Sequence, residues 1–127
     1  MSHFAECQQQ DAGLPVEVKI EGIERPLPLG IELSAYRIIQ EALTNTLKHA
    51  GAAKATVTIS YANGAVELEI VDNGKGLTRA DGREIRGKGI MGMRERVSLH
   101  RGKFKAGNIP EGGFSVRATL PVNGQMS

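Results

Sequence analysis

Hydrophobic and polar residues follow two periods along this chain, and the switches between them mark its elements. Val16, Val18 and Ile20 alternate with Glu17, Lys19 and Glu21, which predicts a half-exposed strand. Pro26, Pro28 and Gly30 mark a loop. Residues 31–50 then turn helical. At about 100° per residue, Tyr36, Ile39, Leu43, Leu47 and Ala50 fall on one stripe, with Glu41, Asn45, Lys48 and His49 on the opposite one. Gly51 is a natural helix stop. Residues 56–61 and 66–71 alternate again, separated by Ala62-Asn63-Gly64, and Asn-Gly between such runs signals a hairpin. Residues 77–86 are polar and irregular. Gly87-Lys88-Gly89 precedes a second helix over 90–99, with Met93 and Val97 at i, i+4. Residues 103–106 and 115–120 predict two last strands around the turn Glu111-Gly112-Gly113, and Pro121 closes the unit.

The resulting order is β, α, β, β, loop, α, β, β. It predicts an α+β fold, a two-layer sandwich whose mixed, mostly antiparallel sheet is covered on one face by helices. Residues 15–122 form one domain in this reading. Residues 1–14, with Gln8-Gln9-Gln10, read as a tail or linker stub, and 123–127 as a C-terminal tail.

A length of 127 residues suits one core and not two. The apolar fraction of 40% and charged fraction of 24% are those of an ordinary globular protein. No apolar run approaches the roughly 18 residues needed to cross a membrane, and no signal-peptide pattern opens the chain. Sixteen Lys and Arg against 14 Asp and Glu leave a net +2, too little to argue for nucleic acid. Cys7 is single, so no internal disulfide forms, and His3, His49 and His100 are too scattered for a zinc motif. Glycine is the one excess. Its 16 residues cluster in a few short strings, which points to local backbone design.

Three clusters carry candidate chemistry, and the first two each have a bland alternative. Glu41, Asn45 and Lys48 stand at i, i+4 and i+7 on one helix face. An amide beside a carboxylate can offer oxygen to Mg²⁺, and a lysine one turn on can meet phosphate. The alternative is a solvated face, with Glu41 pairing Lys48 or Lys54. In Asp72-Asn73-Gly74-Lys75-Gly76, Asp72 can accept hydrogen bonds from a planar amino heterocycle that glycines let approach. The alternative is a plain turn. Gly87-Lys88-Gly89-Ile90-Met91-Gly92 opens a helix, where free N–H groups can hold phosphate. It reads G-x-G-x-x-G but follows no strand, so the dinucleotide fingerprint fails, and no P-loop string is present.

The order of these clusters resembles the GHKL ATPase superfamily, which takes in gyrase, a heat-shock chaperone, sensor histidine kinases and mismatch-repair MutL. The resemblance spans about residues 16–121. Residues 33–45, LSAYRIIQEALTN, and 89–97, GIMGMRERV, resemble histidine kinases of the NarX/DesK type. The resemblance implies ATP and Mg²⁺ as cofactors. It implies an N box over 41–49, with Glu41 polarising water or helping to hold the metal. Asn45 would coordinate Mg²⁺ on the ATP phosphates, with Lys48 and His49 nearby. Asp72 would read adenine, with Gly74 and Gly76 beside the ring. Gly87, Lys88, Gly89 and Ile90 would form the second glycine box, hinging a lid over 77–88. Gly112 and Gly113 resemble the last box, and Thr119 would contact adenine through water. Phe114 stands where Gly-Gly-Thr is usual, and Leu99-His100-Arg101-Gly102 where Leu-Gly-Gly is usual.

The implied function is the catalytic domain of a cytoplasmic histidine kinase module, presenting Mg-ATP for γ-phosphoryl transfer. The acceptor histidine would lie on a separate dimerisation domain and pass the group to a response regulator. The fragment alone would bind ATP or ADP, turn over little and be a monomer. An anti-sigma-factor serine kinase and an inactive nucleotide-binding or docking module are the alternatives. Arg79, Arg83, Arg86 and Lys75 would screen phosphates or form a solvated loop. Arg94, Glu95 and Arg96 would make surface pairs or dock the acceptor helices. Met91 and Met93 would pack, or form an apolar patch for the same partner.

Overall fold

The computed structural model describes residues 16–46, 54–73, 87–110 and 112–122. Its elements are β1 (Val16–Gly22), α1 (Leu29–Asn45), β2 (Ala55–Ala62), β3 (Ala65–Asp72), α2 (Gly87–Leu99), β4 (Lys103–Asn108) and β5 (Phe114–Pro121). The strands form one sheet in the order β1-β2-β3-β5-β4. β1 runs parallel to β2, and every other pair is antiparallel. The α+β architecture read from the pattern is the one observed.

Alternation decides which side of the sheet carries the helices. Val57, Ile59 and Tyr61 on β2, Val66, Leu68 and Ile70 on β3, and Val116, Ala118 and Leu120 on β5 are all buried. Their strand neighbours are half-exposed or exposed, and on that open side Arg117 donates to Glu69 Oε2 at 2.7 Å. Such an exposed pair adds little to stability. Helix α1 lays Ile31, Ala35, Ile38, Ile39, Ala42 and Leu43 onto the covered face. This stripe is wider than expected, and Tyr36 sits only at its edge. Met93 and Val97 anchor α2 in the same core, so Met93 packs, while Met91 is 62% exposed.

Element ends differ from the sequence reading in instructive ways. Helix α1 begins at Leu29 behind Pro28, whose carbonyl accepts from the Glu32 N–H at 2.9 Å. Its expected continuation to residue 50 lies outside the described residues. Helix α2 begins at Gly87 rather than at residue 90. Glycines depress helix propensity, yet in a first turn the N–H groups need no intrahelical partner. At the other end Arg101 adopts φ +59, and the Arg101 and Gly102 N–H groups reach back to the Ser98 and Val97 carbonyls. This is the Schellman ending, with arginine where glycine is usual.

Candidate functional site

The last turn of α1 meets the end of β3 inside the protein. Asp72 is 3% exposed and Thr46 2%. Thr46 Oγ1 lies 3.0 Å from Asp72 Oδ2 and 3.1 Å from the Ala42 carbonyl. Its one proton serves these acceptors in turn. Asn73 fixes the strand end, accepting the Lys54 N–H on Oδ1 at 2.9 Å. Phe114 stands opposite Asp72 in the β3–β5 register and is buried. A Cβ on Gly113 would fall 2.1 Å from the Asp72 carbonyl oxygen, and its φ is +110. Only glycine lets β5 start this close to Asp72.

The hydroxyl beside Asp72 therefore comes from helix α1. Thr46 carries a role that the sequence reading did not give it. The available signal was Phe114, an apolar residue at the position where a threonine is usual. Thr119 corrects a second expectation. It pairs with Glu67, five rungs from the Asp72–Phe114 rung, on the open side of the sheet. The two-residue period of strands puts it on the opposite face from Asp72, so the structure does not bring it to this group.

One residue earlier on α1, the polar stripe meets helix α2. Asn45 is 6% exposed, although it stands on the stripe opposite the apolar one. The reason is Gly89. A Cβ built there would lie 2.4 Å from Asn45 Nδ2 and 2.7 Å from Glu41 Oε2. Without a side chain, α2 closes over the amide and the carboxylate, and both groups converge on one point. Asn45 Nδ2 is buried and, among the described residues, has no hydrogen-bond partner. Most buried polar groups are satisfied, and an orphan costs about 1–3 kcal/mol. Ile90, next to Gly89, is buried in the core and holds this turn of α2 down. Glu41 does not pair with Lys54, which instead lies 3.3 Å from Glu17 on the exposed edge.

Beyond Glu41 a cleft of about 280 Å³ opens between the helices, lined by Arg37, Gln40, Glu41, Gly89, Gly92, Met93 and Arg96. Arg94 turns away from it and stacks over the Phe104 ring at 5.0 Å. Among the described residues, no group of three or more His, Cys, Asp and Glu side chains gathers to hold a metal. Lys48, His49, Gly74 and Gly76 lie outside the described residues, as do the side chain of Lys88 and the arginines of 77–86.

Residues 30–124 match the model of the family described as histidine kinase-, DNA gyrase B-, and HSP90-like ATPase. The chain belongs to this ATPase family. It is 30% identical over 122 residues to the signal transduction histidine-protein kinase/phosphatase DegS of Brevibacillus brevis, covering 96% of this chain and 31% of that protein. It is 34% identical over 110 residues to the sensor protein VraS of Staphylococcus aureus, covering 87% and 31%. The chain thus spans about a third of the length of these curated relatives. The ATP binding domain of PrrB from Mycobacterium tuberculosis shares the fold with a TM-score of 0.59 at 22% identity, covering 93% of this chain and 87% of that one. Full-length ShkA in complex with AMPPNP does so at 0.69 and 18%, covering 94% and 28%. The matches thus place the chain in the ATPase family, with sensor histidine kinases among its relatives.

Proposed function

We propose that the domain binds Mg-ATP with its base at Asp72 and its phosphates at Asn45, and presents the γ-phosphoryl group to a histidine on a separate dimerisation domain. A response regulator then receives the group. The observation that carries this reading is the orphaned amide of Asn45, buried beside Glu41 over a glycine that any side chain would block. A carboxamide has a donor end and an acceptor end. Turned one way Asn45 donates to a phosphate oxygen, and turned the other it gives Oδ1 to a hard cation. The Asn45 amide oxygen and the neighbouring Glu41 carboxylate are the oxygen types that suit Mg²⁺, which takes one or two protein oxygens and completes its shell with phosphates and water. When bound, Mg²⁺ neutralises phosphate charge and helps hold the transferring group in line.

The chain's own residues supply position. Asp72 fixes the base through a buried carboxylate, which accepts from several donors and is held in place by Thr46. Such a site selects a base that donates an amino hydrogen and rejects one that offers a carbonyl there. Glu41 orients water or the metal's outer ligands. Lys48 and His49, by their place after Asn45, meet the phosphates, and Gly74, Gly76, Gly87 and Lys88 border the base and the lid. No described helix is long and apolar enough to cross a membrane. The proposed setting is cytoplasmic, with the isolated domain monomeric.

Calorimetric titration with ADP and Mg²⁺, with GDP as control, tests this. The native chain should bind ADP and discriminate against GDP, and Asp72→Asn should erase the preference. Equal affinity for the two diphosphates would defeat the role of Asp72, and no binding at millimolar concentration would defeat the whole reading.

A further inference from the structure

Along α1 the polar groups stand in a fixed sequence. Thr46 touches Asp72, Asn45 follows, Glu41 lies one turn earlier and Arg37 one turn before that. Nine residues separate Thr46 from Arg37, about 13 Å of helix. A nucleotide whose base lies at Asp72 and whose phosphates pass Asn45 extends towards Arg37. This argument rests on the nucleotide reading above.

The cleft at that end has the chemistry of an anion site. Arg37 enters it from α1 and Arg96 from α2, two turns beyond Gly89. Among the described residues neither guanidinium makes a hydrogen bond or an ion pair. Glu41 is the acidic group of the lining, so two positive charges face one negative. The floor is Gly89 and Gly92, and a Cβ on Gly92 would meet nothing within 4 Å. A volume of about 280 Å³ admits a phosphoryl group with its water but not a whole nucleotide. Guanidinium forks match phosphate oxygens with paired charge-assisted hydrogen bonds.

We propose that Arg37 and Arg96, on facing walls of this interhelical cleft, bind the terminal phosphoryl group of ATP and make the domain prefer the triphosphate to the diphosphate. Glu41 lies between Arg37 and Asn45 along α1. Gln40 completes the lining with a neutral amide.

The test is calorimetric titration of the full 127-residue chain with ADP and with the β,γ-imido analogue of ATP, both with Mg²⁺. The native chain should favour the triphosphate. Arg37→Ala and Arg96→Ala should each weaken the triphosphate about tenfold, the loss of one hydrogen-bonded charge, and leave ADP unchanged. Arg37→Lys should restore part of the loss. Unchanged ADP affinity also shows that the variants are folded. Absence of a native preference, its survival in both variants, or an equal loss of both nucleotides would overturn the assignment. A native chain that binds ADP but fails these criteria defeats this inference alone. One that binds neither nucleotide defeats the reading beneath it as well.

Discussion

The two polar regions at the C-terminal half of α1 are built on opposite plans. Around Asp72 the polar groups are partnered, with the buried Thr46 hydroxyl on the carboxylate and the Lys54 N–H on the exposed Asn73 side chain, and Gly113 packs against the Asp72 carbonyl. Around Asn45 the groups are close but, among the described residues, unpartnered, with an orphaned amide over a bare glycine and two unpaired arginines beyond. A satisfied buried network is rigid and discriminates by shape. An unsatisfied one spends stability while waiting for a ligand. The contrast suits a site that reads one end of its ligand and neutralises the other.

The sharpest way to break the contrast is to damage the partnered end. Gly113→Ala puts a methyl against the Asp72 carbonyl at a φ that alanine rarely adopts. We expect a loss of about 3 kcal/mol, the upper end for backbone strain, with a Tm lower by roughly 10 °C in a calorimetric scan. Asp72→Asn should next cost about 1.5–3 kcal/mol of ADP binding, the range for hydrogen bonds to a charged group, without touching the phosphate end. Thr46→Val should destabilise by about 1 kcal/mol in urea melts, because it removes the Asp72 hydroxyl partner while keeping the volume.

The unpartnered end should behave in the opposite sense. Asn45→Leu removes an orphaned amide from a buried position, so unliganded stability should stay level or rise by up to about 1 kcal/mol. Mg-dependent nucleotide affinity should vanish in the same protein. A clear loss of stability would mean that the amide is satisfied, and the contrast would fail. The smallest effect is a control remote from both ends. Arg101→Gly relieves a left-handed residue at the end of α2 and should add about 0.5–1 kcal/mol with no change in nucleotide affinity.

These regions were not equally legible in the sequence. Strand alternation and the Asn63-Gly64 turn carried the sheet, because burial of one face imposes a period of two. The helical stripe places Ile39 and Leu43 in the core and sets Asn45 on the opposite side, without showing that this side is covered. Periodicity within one helix does not reveal that a second helix, smoothed by Gly89, will cover the polar side. Thr119 failed for a related reason. Its place in the site comes from the family resemblance, whereas register sends it to the other face. Thr46 and Arg37 were invisible as functional residues, since each gains its meaning from a neighbour on another element.

The most direct test of the account is a crystal structure of the chain with Mg²⁺ and the β,γ-imido analogue of ATP. It predicts the adenine amino group on the Asp72 carboxylate, phosphates passing Asn45 and Gly89, and the terminal phosphoryl group between Arg37 and Arg96. A nucleotide bound with its base away from Asp72, or with Asn45 still unpartnered, would contradict it.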